Sequence, residues 1–306
     1  MAAARKGVIF VLLACLVWGL APLYYRHLAR VAAPEMLAHR TLWSAVTFGL
    51  LLLTQGRGAL IGQALRGPEL PRILTTALLI SLNWGLFIWA IQNGHAVEAG
   101  LGYYIFPLMA VALGVLTLGE RLSPLQGAAI GLALVAVLVL TWGLGVAPWI
   151  ALLLAVSFAA YSHLKKGMAT DATASVTLEV LLLVPFALGY LFWLHGVAGL
   201  GAFGREVEAS WLLPLAGLIT AGPLILFSAG AQRVPLSTLG LAQYLNPTLQ
   251  VASAALIMGD TFTPWHGAAL ALVWAGIALY GAEAWRRDRA ASSAASSAGT
   301  SATTVK

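Results

Sequence analysis

The chain has 306 residues, of which 60% are hydrophobic and only 9% charged, with a mean hydropathy of +0.88. Soluble folds carry roughly 25% charged residues because their surface must face water, so an ordinary soluble domain is excluded. The net charge of +6 sits mostly in cations flanking apolar runs, which points to membrane lipid as a partner and not to nucleic acid.

Apolar runs near twenty residues recur along the chain without the in/out alternation of barrel strands, which predicts an all-α polytopic membrane protein. Five spans fall at Gly7–Tyr25, Met36–Thr54, Ile73–Gln92, Glu98–Leu118 and Leu125–Trp142. Five more follow at Pro148–Leu164, Thr177–His195, Trp211–Gly230, Ser237–Met258 and His266–Trp285, making ten transmembrane helices. Loop punctuation separates them at Gly56-Arg57-Gly58, Ser123-Pro124, Gly143 to Pro148 and Thr263-Pro264. Cys15 is the one cysteine, so no intramolecular disulfide or cysteine metal site is expected. Leu12-Leu13-Ala14-Cys15 loosely matches a lipoprotein cleavage site, but the apolar run continues to Leu23, the length of a span and not of a signal core.

With a cytoplasmic N-terminus, thirteen of the 17 Lys and Arg residues fall in inside segments, among them Arg57, Arg66, Arg72, Arg121, Lys165, Lys166 and Arg233. Arg26, Arg30 and Arg205 fall outside, and Arg40 lies within a span. The positive-inside rule therefore predicts both termini to be cytoplasmic. The Ala/Ser/Thr/Gly stretch 290–306 reads as a disordered tail.

Shifting the chain by 140 residues against itself pairs Asn83–Leu140 with Pro223–Tyr280, with 16 identities in 58 positions. Tyr104-x-x-Pro107 falls on Tyr244-x-x-Pro247, Gly119-Glu120 on Gly259-Asp260, and Gly127-Ala128-Ala129 on Gly267-Ala268-Ala269. The shift spans five helices, an odd number, so the halves 6–142 and 148–285 are expected as inverted-topology repeats. That is the architecture of carriers that alternate access to a midplane site.

Several motifs carry a resemblance. They are Trp18-Gly19 with Pro22-Leu23-Tyr24, Ala38-His39-Arg40-x-x-Trp43-Ser44, Asn83-Trp84, Asn93-Gly94-His95-x-x-Glu98-Ala99-x-Leu101-Gly102-Tyr103, Gly119-Glu120-Arg121-Leu122 and Gln243-Tyr244-x-x-Pro247-Thr248-Leu249. Together they resemble the RarD subfamily of EamA-type permeases in the drug/metabolite transporter superfamily, over residues 6–285. Phe106 departs from the Asn usual before Pro107, while Asn246 keeps that Asn in the second half. The resemblance implies a bacterial cytoplasmic (inner) membrane permease for a small organic metabolite, such as an amino acid derivative or drug-like solute. It brings no cofactor and no settled substrate. The first span has no acidic residue, so the first-helix glutamate mechanism of the four-helix multidrug members does not transfer.

Ionisable groups inside a membrane are expensive and default to functional hypotheses. For Arg40 two readings stand: snorkelling to headgroups from one turn inside the outer end, or bidentate pairing of an anionic substrate group. Asn93, His95 and Glu98 straddle the outer loop between spans three and four, as gating residues or, for Glu98, as a complement to a helix N-terminus. Glu179 takes the place of His39 at the 140-residue shift, so the two are candidates for proton coupling; the competing role for Glu179 is a helix cap beside Thr177. Tyr103, Tyr104, Gln243, Tyr244 and Asn246 lie beside helix prolines that free backbone carbonyls. With His39, Arg40, Trp18, Trp43, Asn83 and Trp84 they form the candidate substrate-binding set; Trp89 and the other tryptophans also suit interfacial anchoring or packing.

No HExxH, Walker A or nucleophile-elbow motif is present, and no facing histidine pattern suits haem. A secondary transporter, as monomer or homodimer, is therefore the expected function, with a non-transporting scaffold or regulator as the alternative. The cavity is expected between spans one to four and six to nine, with spans five and ten peripheral.

Overall fold

Prolines open several of the helices and left-handed glycines close them, because proline has no amide hydrogen to lose in a first turn and glycine has no Cβ to strain when φ is positive. The computed structural model describes residues 2–118, 123–145, 148–165, 168–231 and 244–302. Among these every regular element is helical. The chain runs through α1 (Ala2–His27), α2 (Ala33–Thr54), a short α3 (Ala59–Arg66), α4 (Leu70–Gln92), α5 (Ala96–Leu118) and α6 (Pro124–Leu144). It continues through α7 (Trp149–Lys165), α8 (Ala172–Phe192), a π-helical turn (Trp193–Ala198), a short α9 (Val207–Leu212), α10 (Leu215–Ala231), α11 (Leu245–Leu256) and α12 (Pro264–Ala302). Pro34 and Pro71 lie in the first turns of α2 and α4. Gly94, with φ of +80°, turns the chain between α4 and α5.

Seven helical stretches among the described residues are long and apolar enough to cross a membrane, including Arg5–His27, Ala33–Thr54, Leu70–Gln92 and Thr173–Ala198; Trp149–Lys165 is apolar but shorter. The protein is a multi-pass membrane protein. Its end with Arg57, Arg66 and Lys165 is called inner here, and that with Arg26, Arg30 and Arg205 outer.

The structure departs from the expected spans in four places. α3, with Gln63 and Arg66 among apolar residues, is a separate helix between spans two and three. The seventh span loses α-helical winding at Trp193, and His195 lies on the π-helical turn. The eighth expected span is interrupted near Pro214, which offers no amide to the preceding turn, so α9 ends at Leu212 and α10 begins at Leu215. The stretch after Arg289, expected to be disordered, continues α12 to Ala302; it is rich in alanine, the strongest helix former, and lacks proline. The start of the ninth expected span, with Gln243, and the Gly119–Leu122 motif lie outside the described residues.

α6 packs along α12 beside the other helices. α5 packs on α7, α1 on α10 and α11, α2 on α8 and α10, and α4 on α7. Lipid provides no hydrophobic drive between helices, so close backbone approach through small residues supplies much of the packing. A Cβ at Gly19 would sit 2.7 Å from Leu249 Cβ, one at Gly100 2.6 Å from Val251 Cγ2, and one at Gly217 2.5 Å from the Trp43 carbonyl. The Trp43 carbonyl carbon and oxygen and the Trp43 Cβ face the Gly217 position, and none of these atoms can swing aside without moving the α2 backbone. Gly217→Ala is expected to destabilise the α2–α10 crossing by about 1–3 kcal/mol, the usual cost of overpacking. The melting temperature of the detergent-purified variant checks this, and an unchanged value would contradict the close crossing.

Candidate functional site

Polar ties join the two halves at both ends of the bundle. At the outer end His27 Nε2 lies 2.6 Å from Glu208 Oε1, and Arg30 donates to Glu206 at 2.7 Å and also to Glu208. Tyr24 donates to the Leu212 carbonyl at 3.1 Å. Glu35, 2% exposed, accepts the Ala202 and Phe203 amides at 2.8 and 3.2 Å. Asp260 accepts the Ala96 amide at 2.7 Å and so caps α5 from the opposite half. That leaves Glu98 to bond His95 Nδ1 at 2.8 Å, with the His95 ring stacked on Trp89 at 5.7 Å. Asn93 is exposed and turns back to the Trp89 carbonyl at the end of its own helix.

At the inner end Arg57 pairs with Asp171 at 2.6 Å. Glu69 accepts the Ala169 and Thr170 amides at 3.0 and 2.8 Å, together with the Thr170 hydroxyl. The Thr170 hydroxyl first, and then the two amides, hold the Glu69 carboxyl below its ordinary range. Asp171 is also low: partial burial opposes ionisation, but the Ala174 amide and Arg57 outweigh it. A folded-state carboxyl below its unfolded value stabilises the fold above the unfolded value, about 4.3 for Glu, and that stability is lost as pH falls through the folded value. The melting temperature of the purified protein is therefore expected to fall as pH drops below about 4.3, and Glu69→Gln is expected to flatten that fall. An identical pH profile in the variant would contradict the assignment.

Between these ends two buried polar clusters stand out. The inner one centres on Glu179, 1% exposed, in the second turn of α8. Its Oε1 accepts from Thr76 of α4 at 2.6 Å and from Lys165 of α7 at 2.8 Å, and its Oε2 from Tyr161 at 3.1 Å. The capping role considered for Glu179 is overturned, because Asp171 caps α8 by accepting the Ala174 amide at 3.0 Å. Lys165, read from sequence as a loop cation, turns inward to meet the carboxylate, with its side chain 19% exposed.

The outer-half cluster lies on one stretch of α2. Arg40, 8% exposed, donates to the Tyr25 hydroxyl at 2.7 Å, and its guanidinium carbon lies 4.1 Å from the Trp84 ring centroid and 5.8 Å from that of Tyr25. Among the described residues no carboxylate comes within 4.0 Å of it. The Arg40 Nε, both His39 ring nitrogens, Trp43 Nε1 and Ser44 Oγ are all buried without a hydrogen-bond partner among the described residues. Native interiors leave few such atoms, so five on six consecutive residues mark a place built for something besides packing.

The other candidates divide cleanly. Tyr103 donates to Asn83 Oδ1 at 3.0 Å while Asn83 donates to Leu154 and Ser157 at 3.0 and 2.8 Å, a tie binding α4, α5 and α7 with both Asn83 amide hydrogens and its oxygen engaged. Tyr104, fully buried, donates to Thr248 at 2.6 Å, and its ring stacks on Tyr244 at 6.5 Å. Asn246 accepts from Gln250 within α11, and Trp18 packs on Phe227 at 5.8 Å. Sequence reasoning passed over Tyr25, Glu35, Thr76, Tyr161 and His195. Tyr25 and Lys165 correspond at the 140-residue shift that pairs His39 with Glu179, and that register was the signal available for them.

Residues 5–142 match the model of the EamA-like transporter family. "Protein RarD" of Streptomyces exfoliatus is 44% identical over 287 residues, covering 93% of this chain and 91% of that protein. The chain belongs to the EamA-like transporter family, in its RarD subfamily. An uncharacterized transporter of Pseudomonas aeruginosa is 39% identical over 93% of this chain and 96% of its own. One solved crystal structure shares the fold, with a TM-score of 0.59 and 20% identity, covering 90% of this chain and 96% of that one. Membership of the EamA-like family makes this chain a membrane transporter of the drug/metabolite type.

Proposed function

We propose that this EamA-like protein is a secondary transporter of the bacterial inner membrane that carries a small organic solute bearing an anionic group, held at Arg40. One observation carries the reading: a buried guanidinium with a tyrosine hydroxyl and an indole face but, among the described residues, no carboxylate within 4.0 Å. A desolvated cation–π contact returns about 2 kcal/mol, whereas burying an ion costs several. The difference is recovered when an anion arrives. Tyr25, which accepts from Arg40, keeps its own proton to donate to such an anion, and Ser44 offers a further hydroxyl one turn along α2.

Alternating access between two inverted five-helix halves, 6–142 and 148–285, supplies the mechanism. Helix pairing supports it. α2 packs on its 140-residue counterpart α8, α5 on α11 and α6 on α12, while the α5–α7 contact is mirrored by α1–α11 and the α1–α10 contact by α4–α7. Glu179 with Lys165 is the coupling element of this reading, a buried charge pair close to the inner end where a proton can exchange as that face opens.

A thermal-shift series tests the proposal. Organic anions are expected to raise the melting temperature of the detergent-purified protein by mass action, matched cations and neutral analogues are not, and Arg40→Gln is expected to abolish the shift. Equal shifts in wild type and Arg40→Gln would move the site elsewhere.

A further inference from the structure

Glu35 and His39 lie four residues apart on α2 and present their side chains to one face, a spacing that brings two ligands to a single ion. His195, on the π-helical turn after α8, completes a group whose donor atoms all lie within 4.8 Å of one another. Its Nε2 is 3.6 Å from Glu35 Oε1. Both ring nitrogens of His39, a residue 3% exposed, have no hydrogen-bond partner among the described residues. An imidazole normally uses at least one of them, so the two idle nitrogens are an observation separate from the clustering.

The surroundings are those of a built site. The Ala202 and Phe203 amides fix the Glu35 carboxylate, and the Phe203 ring packs on that of His39 with centroids 4.7 Å apart. Such supporting contacts orient metal ligands. Gly201 carries no Cβ, and one placed there would overlap the His195 ring, so the loop leaves room for the imidazole. Ala38, Leu42, Ala187, Tyr190 and Leu191 pack into an apolar cluster between α2 and α8.

We propose that Glu35, His39 and His195 bind a divalent transition metal ion, with Zn2+ the best fit to two imidazoles and one carboxylate. Three protein ligands leave a fourth, tetrahedral position for water. Mg2+ and Ca2+, which take six or more oxygens, do not suit this donor set. Tetrahedral bonds of about 2.0–2.1 Å bring donor atoms to about 3.3 Å from one another, so the Glu35–His195 separation is already close and a rotamer-scale movement of His39 completes the set. The ion ties α2 to the segment after α8 at the outer end. The assignment rests on these three side chains and stands independently of the anion site at Arg40.

The test uses the full chain in detergent, with any affinity tag removed and after chelator treatment, titrated calorimetrically with ZnCl2. One Zn2+ per chain is expected to bind and to raise the melting temperature. His39→Gln and His195→Gln are each expected to weaken binding at least about tenfold, the loss that even an outer-shell partner brings, while His163→Gln at the inner end leaves it unchanged. X-ray absorption of Zn-loaded wild type keeps the test independent of variant folding: two imidazoles are expected in a shell of four nitrogen and oxygen ligands. Undiminished binding in folded His39→Gln and His195→Gln, absence of stoichiometric binding, or a shell without imidazole would overturn the proposal.

Discussion

Replacing Arg40 with glutamine is expected to abolish binding and transport of the anionic solute while leaving the fold as stable as before. The combination is diagnostic because the two usual roles of a buried arginine predict otherwise. An arginine that holds helices together through a buried ion pair strands its carboxylate when removed and costs about 3–5 kcal/mol. Among the described residues Arg40 has no carboxylate to strand; its removal frees one tyrosine hydroxyl and an indole face and relieves a desolvated charge. The melting temperature of unliganded Arg40→Gln should therefore equal or exceed that of wild type, and affinity should fall by about 10²-fold or more if a charged bidentate contact of about 3 kcal/mol is lost. Arg40→Lys should recover little of it, since an ammonium cannot present the same planar fork. A sharply destabilised Arg40→Gln that still binds would place Arg40 among the packing residues.

The second large effect concerns the inner pair, and it is asymmetric. Glu179 is 1% exposed, whereas the Lys165 side chain retains 19% exposure at the inner end. Lys165→Met strands a carboxylate that cannot reach water, left among the described residues with the Thr76, Ser175 and Tyr161 hydroxyls beside it, and should cost about 3–5 kcal/mol. Glu179→Gln leaves a lysine on a flexible stem that can swing out toward the inner solution, so its cost should be smaller. Lys165→Met combined with Glu179→Gln should recover most of the stability, because no stranded charge remains. In proteoliposomes the double variant is expected to bind the solute and to lose its response to a proton gradient. Melting temperatures of the three variants and gradient-driven uptake check both halves of the expectation; equal costs for the two single variants would contradict the burial asymmetry.

The parts of the fold that sequence reading captured are those set by a one-dimensional signal. Apolar run length located α1, α2, α4 and α8 because lipid requires about twenty apolar residues to cross it, and the proline of Thr263-Pro264 marked where α12 starts. The short α3 and α9 escaped because each is under three turns and neither is apolar throughout, so neither registers as a span. The π-helical turn at Trp193–Ala198 leaves no periodic trace in the sequence. Of the proposed site, His39, Arg40, Trp43 and Ser44 are legible in the sequence as one motif, and Glu179 through its register with His39. Their partners were not. Nothing in a linear reading says that Lys165 turns inward, that Asp171 takes the capping position and releases Glu179, or that Asp260 caps a helix 164 residues away. Those facts come from helix packing, which brings together residues that no spacing relates.

The proposed transport cycle requires the stretch around Arg40 to open alternately to the two sides of the membrane. Ser44 reports on it directly: it is fully buried, one turn along α2 from Arg40, with an unpartnered hydroxyl. In a Cys15→Ala background, where the sole native thiol is gone, Ser44→Cys can be challenged with a membrane-impermeant thiol reagent from each side of oriented vesicles. The account predicts labelling from both sides, slowed by an organic anion that stabilises the wild-type protein. Labelling from one side only, or none from either side in a folded variant, would contradict alternating access at this site.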